Sequence, residues 1–133
     1  MKGAVVFSGK LLPLLDIPIE FDYIHVSRYN NKLKGSNLRL IHPVTLDVYQ
    51  KDVLILDDIL DEGYTMKFIF DEIAKLGSRS CKFAVFANKI LDTPKPINLE
   101  SNYFCVNVPN KYVFGYGMDI KGLWRNLPGI YFI

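Results

Sequence analysis

The apolar run Val-Leu-Ile-Leu at residues 53–56 limits the possible folds more than any other segment of the chain. A continuous apolar run of this length is typical of a strand buried on both faces of a parallel sheet. Apolar residues at helical spacing follow at 65–76, Gly77 is a natural helix stop, and a second apolar strand is predicted at 82–87. Residues 53–87 therefore predict one βαβ unit with two parallel strands.

Further elements are predicted on both sides of this unit. They are a buried helix at 4–15, strands at 19–26 and 38–41, a mobile polar loop at 28–37, and short strands at 103–108, 112–115 and 130–133. A polar loop is expected at 57–64, between the first strand of the unit and its helix. Strands that alternate with helices predict an α/β fold with a mainly parallel, twisted sheet flanked by helices.

Length and composition narrow the class of protein. The chain has 133 residues, half of them apolar, which predicts a single globular domain and excludes a disordered protein. A net charge of +2 and the lack of any long apolar run predict neither a nucleic-acid partner nor a membrane partner. Cys81 and Cys105 lie in apolar runs and are interpreted as reduced core residues, so we expect a cytoplasmic location.

Two adjacent acids, Asp57 and Asp58, follow the first strand of the unit and lead into Asp-Glu-Gly-Tyr-Thr at 61–65. Ligands of open parallel sheets bind at the carboxyl ends of the strands, and free N–H groups at a helix start suit a phosphate. Gly63 permits close approach of the backbone, and Thr65 adds a hydroxyl donor. The paired acids would repel a phosphate, so they fit sugar hydroxyls or a metal ion instead.

A purely structural interpretation of these acids is also available. An acid that follows a strand often caps the next helix, and capping would account for Asp61. It leaves Asp57 and Asp58 without an explanation, which favours the binding-site interpretation.

The segment 53–65 resembles the phosphoribosyl-diphosphate signature of the type I phosphoribosyltransferases. The resemblance extends over nearly the whole chain: residues 111–119 and 124–128 are similar to the C-terminal purine and pyrophosphate region of the bacterial hypoxanthine-guanine branch. Asn88 and Lys89 resemble the site of that branch's purine lysine. A departure is Asp57, since many relatives carry glutamate at this position.

The resemblance implies a type I phosphoribosyltransferase fold and a purine salvage enzyme. Such an enzyme transfers the phosphoribosyl group of phosphoribosyl diphosphate to hypoxanthine or guanine, giving IMP or GMP and pyrophosphate. The implied cofactor is Mg²⁺, and the implied assembly is a homodimer or homotetramer. The preference among hypoxanthine, guanine and xanthine stays open.

The resemblance also assigns roles to individual residues. Asp61 would be the catalytic acid/base, and Asp57, Asp58 and Asp119 would bind Mg²⁺. The ribose and 5′-phosphate would be bound by Asp57, Asp58, Glu62, Gly63, Tyr64 and Thr65. Pyrophosphate would be bound by Lys2, Gly3 and Arg125, and the purine by Lys89, Tyr112 and Val113. A flexible catalytic loop would begin with Ser27, Arg28 and Tyr29. Taken singly, a lysine at a strand end such as Lys89 is more often a solvated surface lysine, and a tyrosine such as Tyr112 is more often a core residue.

Relatives carry a helix and a core strand before the Lys-Gly pair, which here follows Met1. We therefore expect one phosphoribosyltransferase domain over residues 1–133 that lacks this helix and first core strand. Three explanations stay open: a start assigned too late or a shortened chain, a dimer or strand swap that covers the gap, or an inactive remnant. The alternative function is accordingly a non-catalytic nucleotide-binding or regulatory relative of the same fold.

Overall fold

A computed structural model describes residues 2–29 and 37–133. Within these residues there are two helices, α1 (Val5–Leu11) and α2 (Tyr64–Lys75), and seven strands, and a 3-10 turn, Leu12–Leu14, extends α1. The strands are β1 (His25–Tyr29), β2 (Asn37–His42), β3 (Asp52–Leu60), β4 (Ser80–Lys89), β5 (Tyr103–Val108), β6 (Val113–Phe114) and β7 (Tyr131–Phe132). In the described residues, neither helix is long and apolar enough to cross a membrane.

The predicted βαβ unit is present as β3, α2 and β4. These two strands and β5 form a parallel three-stranded sheet in the order β3-β4-β5. β1 pairs with β2 and β6 pairs with β7, each pair antiparallel. The prediction of an α/β fold with a parallel sheet is therefore confirmed.

Two hydrophobic clusters hold the elements together. In the larger, Met66, Ile69 and Ile73 of α2 pack on Phe83 and Val85 of the sheet. These apolar residues of α2 are three or four positions apart, which places them on one side of the helix, and this side faces the core. A smaller cluster joins β4 and β5 to the C-terminal region, and consists of Ala87, Val108, Val113 and Met118.

Two predicted boundaries around residue 57 and residue 20 are wrong. β3 continues to Leu60 because the ten-residue strand β4 pairs with it as far as Asn88, so Asp57 and Asp58 lie in a strand rather than in a loop. The strand predicted at 19–26 is irregular up to residue 24, and β1 begins only at His25. The alternating apolar residues at this position predicted a strand with one buried side, but Phe21 and Tyr23 are exposed.

Three smaller expectations also change. The predicted loop at 28–37 loses its ends to β1 and β2, and residues 30–36 lie outside the described residues. The N-terminal helix is buried on one side only, where Ala4, Phe7 and Ser8 lie. Cys105 is exposed because β5 pairs only with β4 among the described strands and carries little cover, whereas Cys81 is half-buried.

Side-chain hydrogen bonds hold the irregular segment before β1. The Asp22 carboxylate accepts the N–H groups of Thr45 at 2.7 Å and Leu46 at 3.0 Å, and the Thr45 hydroxyl at 2.9 Å. Backbone donors from Thr45 and Leu46 are the main reason that the pKa of Asp22 falls to about 2. This carboxylate therefore ties two chain segments that no strand ladder connects.

Replacing Asp22 by alanine should destabilise the fold. Because the folded-state pKa of Asp22 is lowered, its contribution is present above pH 4 and is lost as the pH falls through about 2. Urea unfolding at pH 7 should show a loss of about 1–2 kcal/mol for Asp22→Ala, since the three donors of Thr45 and Leu46 and the Tyr23 N–H lose their acceptor. Asp16→Asn, at an exposed position, should change nothing, and equal stability of the two variants would contradict this role.

Candidate active site

The carboxyl ends of β3 and β4 bring together an acid and a lysine. Leu60 pairs with Asn88 in the parallel register, so Asp61 and Lys89 follow at neighbouring positions. The Lys89 Nζ donates to Asp61 Oδ2 at 2.7 Å, and the Lys89 side chain is only 11% exposed against 42% for Asp61. A largely buried ammonium needs such a partner because its charge loses hydration.

A cavity of about 330 Å³ opens beside Asp61, whereas Lys89 does not line it. The predicted catalytic residue Asp61 lines it together with most of the predicted ribose and phosphate residues: Asp57, Asp58, Glu62, Gly63 and Thr65. Ile24 and Val26 form its apolar wall on the β1 side. Tyr64 does not line the cavity, and its side chain is exposed.

The turn at Gly63 directs a helix start toward the cavity. Gly63 has φ +94°, a left-handed conformation that glycine adopts without strain, and α2 begins at the next residue. Its carbonyl accepts the Lys67 N–H at 2.9 Å, which begins the helical ladder. The first N–H groups of a helix have no carbonyl partners within it, so this turn can bind an anion such as a phosphate.

Asp57 and Asp58 place two carboxylates on adjacent residues of β3. Burial, followed by the charge of the Asp58 carboxylate, raises the pKa of Asp57 to about 8. The Asp57 Oδ1 accepts the Asp58 N–H at 3.0 Å, and Asp58 Oδ1 accepts the Ile59 N–H at 3.1 Å. A cation that binds to the two acids would take the place of the proton that Asp57 otherwise holds, because it relieves the same electrostatic repulsion.

The same donor set fits a hard cation. Mg²⁺ takes carboxylate oxygens and keeps several waters, so one or two protein carboxylates suffice for it. Among the described residues, no group of three or more histidine, cysteine or acidic side chains forms a metal cluster. The paired carboxylates of Asp57 and Asp58 therefore fit a mainly hydrated Mg²⁺ better than an ion enclosed by protein ligands.

Gly3 lies between the acids of β3 and the C-terminal turns. A side chain at Gly3 would collide with the Asp58 carboxylate, and one at Gly117 would collide with the Gly3 carbonyl. Gly117 also has φ +100°. Two glycines thus let the Lys2–Gly3 backbone approach Asp58 on one side and residue 117 on the other.

Arg125 and Asp119 form a second charged group. Arg125 Nη2 donates to Asp119 Oδ1 at 2.5 Å and Nη1 donates to the Gly117 carbonyl at 2.7 Å. The Gly122 N–H donates to Asp119 Oδ2 at 2.7 Å, so both carboxylate oxygens of Asp119 already accept hydrogen bonds. Since Gly117 also contacts Gly3, this group adjoins the predicted pyrophosphate segment.

The predicted purine residues divide between core and surface. Val113 of β6 is buried in the smaller cluster, which also contains Ala87 of β4. Ala87 lies two residues before Lys89, so this cluster joins β6 to the end of β4. The Tyr112 side chain is half-exposed, and its hydroxyl donates to the Asp119 carbonyl at 2.9 Å. The predicted start of the flexible loop, Ser27, Arg28 and Tyr29, belongs to β1. These residues follow Val26, the β1 residue that lines the cavity.

Sequence reasoning missed the contribution of Lys95. Its ammonium donates to the Leu60 carbonyl and to Asn88, the residues just before Asp61 and Lys89. The flanking prolines at 94 and 96 were the available signal, because they restrict the backbone around one charged residue. The close contact between residues 3 and 117 had no comparable signal.

Comparison with known proteins identifies the family. The model of the phosphoribosyl transferase domain matches residues 1–121. The chain belongs to the phosphoribosyl transferase family. The resemblance drawn from residues 53–65 and the C-terminal region is therefore confirmed.

Relatives in this family share both sequence and structure with the chain. A hypoxanthine-guanine phosphoribosyltransferase of Streptococcus pneumoniae is 35% identical over 133 residues, which cover 98% of this chain and 72% of that protein. A crystal structure of such an enzyme from Bacillus anthracis superposes with a TM-score of 0.91 at 26% identity, covering 100% of this chain and 78% of the other. A Trypanosoma cruzi hypoxanthine phosphoribosyltransferase in complex with IMP gives 0.88 at 25% identity, covering 100% and 71%.

Substitution of Gly117 tests the close approach of the two backbones. Gly117→Ala adds a Cβ that collides with the Gly3 carbonyl, in addition to the strain of a positive φ. We expect urea unfolding to show a loss of about 2–4 kcal/mol. Gly122→Ala is the matched control, since Gly122 has φ +82° with open space around it, and should lose about 1 kcal/mol. Equal losses would contradict the contact.

The raised pKa of Asp57 predicts a pH-dependent stability. Folded Asp57 holds its proton up to about pH 8, whereas the unfolded chain releases it near pH 4. Stability from this group is therefore fully present below pH 4 and declines as the pH rises to 8. In metal-free buffer, Asp57→Asn should exceed the wild type by about 1–2 kcal/mol at pH 9 and lose this advantage toward pH 4.

Urea unfolding from pH 4 to pH 9 measures the difference between the two proteins. Asp92→Asn removes a carboxylate whose residue is exposed and should follow the wild type throughout. Parallel curves for the wild type and Asp57→Asn would show that Asp57 keeps an ordinary pKa.

Proposed function

We propose that this chain is a Mg²⁺-dependent 6-oxopurine phosphoribosyltransferase that converts hypoxanthine or guanine and phosphoribosyl diphosphate into IMP or GMP and pyrophosphate. The observation that carries the proposal is the 2.7 Å contact between Lys89 and Asp61, since Asp61 also lines the acid-lined cavity. Family membership and the names of the relatives at 30–35% identity support the same reaction.

The ribose and its 5′-phosphate fit the cavity between β3 and α2. The turn at residues 62–65 would donate backbone N–H groups to the phosphate, and the Thr65 hydroxyl would add a further donor. Asp57 and Asp58 would accept the ribose hydroxyls and would lie near the positive charge that develops on the sugar as pyrophosphate leaves. An anion beside a developing cation lowers the barrier because the attraction is strongest in the transition state.

Pyrophosphate would leave toward Lys2, the Gly3 backbone and Arg125. Arg125 presents a planar guanidinium that can donate to two oxygens, and its present partner Asp119 would then be released to a metal. Mg²⁺ bound by Asp57, Asp58 or Asp119 would neutralise charge on the diphosphate. These assignments are supported by the contacts of Gly3 with Asp58 and Gly117.

Lys89 and Asp61 would divide recognition and proton transfer at the base. An ammonium has three N–H donors, so Lys89 can keep one bond to Asp61 and donate another to the 6-oxo oxygen of the purine. The Asp61 carboxylate would accept the proton from the imidazole nitrogen of the base. An amino group at the 6-position would set its own N–H donors against those of the Lys89 ammonium, which disfavours adenine.

The remaining features of the proposal rest on the sequence and on the family rather than on contacts in the site. We infer one phosphoribosyltransferase domain over residues 1–133, a homodimer or homotetramer, and a cytoplasmic location. Tyr112 would stack on the base, the Val113 backbone would contact its edge, and Ser27, Arg28 and Tyr29 would precede a catalytic loop.

Turnover of the purified protein tests the function. With phosphoribosyl diphosphate and Mg²⁺, we expect nucleotide formation from hypoxanthine or guanine and none from adenine. Asp61→Asn should lower kcat by about 10²- to 10⁴-fold because it removes the proton acceptor. Lys89→Ala should lower kcat/KM for the oxopurine by about 10- to 100-fold, since a charged donor is lost.

Asp71→Asn is the matched control for these variants. Asp71 forms an ion pair with Lys67 on the surface of α2, and its replacement should leave turnover unchanged. A folded protein that turns over no base would contradict the enzymatic proposal and favour the nucleotide-binding relative. Activity that survives Asp61→Asn would contradict the role given to that residue.

A further inference from the structure

The connection between β4 and β5, residues 90–102, folds over the turn that follows β3. Ile97 packs on this turn, so that a Cβ added at Gly63 would lie 3.0 Å from the Ile97 Cβ. The C-terminal part of the connection is anchored, because Leu99 packs on the main core and Asn102 Oδ1 accepts the Phe83 N–H at 2.9 Å. The connection is therefore fixed to the sheet on one side of the turn and in contact with the turn itself.

Lys95 lies in the middle of this connection and joins the ends of two strands. Its Nζ donates to the Leu60 carbonyl at 3.1 Å and to Asn88 Oδ1 at 2.9 Å. Leu60 and Asn88 are register partners of the parallel pair, and each directly precedes a residue of the proposed purine site. One ammonium thus connects the last paired residues of β3 and β4.

The surroundings of Lys95 are those of a positioned rather than a solvated lysine. Its residue is half-buried, and burial lowers the pKa of its ammonium, as does the charge of Lys89, while the charge of Asp61 opposes both. The prolines at 94 and 96 fix their own φ angles and restrict Lys95 to extended backbone. A side chain held in this way loses little entropy when it donates to two fixed acceptors.

We propose that Lys95 is a positioning residue of the purine site, which sets the spacing between Asp61 and Lys89 by holding Leu60 and Asn88 together. This inference rests on the proposed function, since it concerns the affinity of that site for the base. Lys95 makes no contact with the base itself in this scheme. Its loss leaves a carbonyl and an amide oxygen without their donor, so the two strand ends separate and the purine contacts weaken.

Steady-state kinetics of four proteins test the proposal: wild type, Lys95→Met, Lys95→Arg and Lys75→Met. Lys95→Met keeps an unbranched side chain one atom shorter and removes the donors, whereas Lys95→Arg keeps donors and charge. Lys75→Met is the control, because Lys75 forms an ion pair on the surface of α2 and its side chain is 71% exposed. The dissociation constant of IMP is measured by calorimetry on the same four proteins.

Lys95→Met should raise KM for hypoxanthine and the dissociation constant of IMP by about tenfold, with less than a twofold change in KM for phosphoribosyl diphosphate. Lys95→Arg should restore most of the loss, and Lys75→Met should resemble the wild type. A purely structural lysine would lower kcat through a smaller folded fraction and leave both KM values unchanged. That result, or equal effects of the methionine and arginine variants, would overturn the proposal.

The two proposals fail in different ways. A wild type that binds IMP and turns over no base refutes the enzymatic function, and the Lys95 proposal is then decided by the change in IMP affinity. A wild type that does not bind IMP overturns both. If Lys95→Met does not fold, Lys95→Gln replaces it, because its amide keeps one donor group and should show a smaller rise in the same constants.

Discussion

The parallel register between β3 and β4 is the constraint on which the candidate active site depends. It pairs Leu60 with Asn88 and so sets Asp61 opposite the buried Lys89. A shift of two residues would preserve the apolar pattern of both strands and still separate the acid from the lysine. The ladder alone does not exclude such a shift, whereas the ion pair and the ammonium of Lys95 both favour the observed register.

The acids of β3 show that the site is built at a cost to the fold. Asp57 and Asp58 are neighbours in a half-buried strand, and burial with the Asp58 charge raises the pKa of Asp57. A strand of this sheet would be more stable with uncharged residues there. Their presence is explained by a ligand that brings positive charge, either a cation or a sugar that becomes cationic during reaction, and neither explanation applies to a purely structural strand.

Much of the fold and part of the site could be predicted from the sequence because they follow local rules. The βαβ unit is encoded by the apolar run at 53–56 and by the helical spacing of Met66, Ile69 and Ile73. The end of β3 could not be predicted, since its extension past Asp57 depends on pairing with β4 as far as Asn88. Polar residues in a strand look like a loop when the partner strand is unknown.

Contacts between distant segments could not be predicted from the sequence either, because they also depend on a partner segment that the local sequence does not identify. The segment 19–24 alternates like a strand, yet the Asp22 carboxylate holds it through donors of Thr45 and Leu46 more than twenty residues away. Gly117 could be recognised as a turn residue, but its approach to Gly3 depends on how the C-terminal turns pack.

The role of Lys95 in the site depends on contacts between distant segments in the same way. Asp61 and Lys89 were recognisable because they fit a family pattern, whereas Lys95 acts through the backbone of Leu60 and the amide of Asn88 and has no pattern of its own. An ammonium in this position keeps a second positive charge near the Asp61 carboxylate, so that Lys89 is not the sole cation compensating it. Lys89 can then turn a donor toward a 6-oxo group without leaving Asp61 uncompensated, which is the condition that a site for oxopurines must meet.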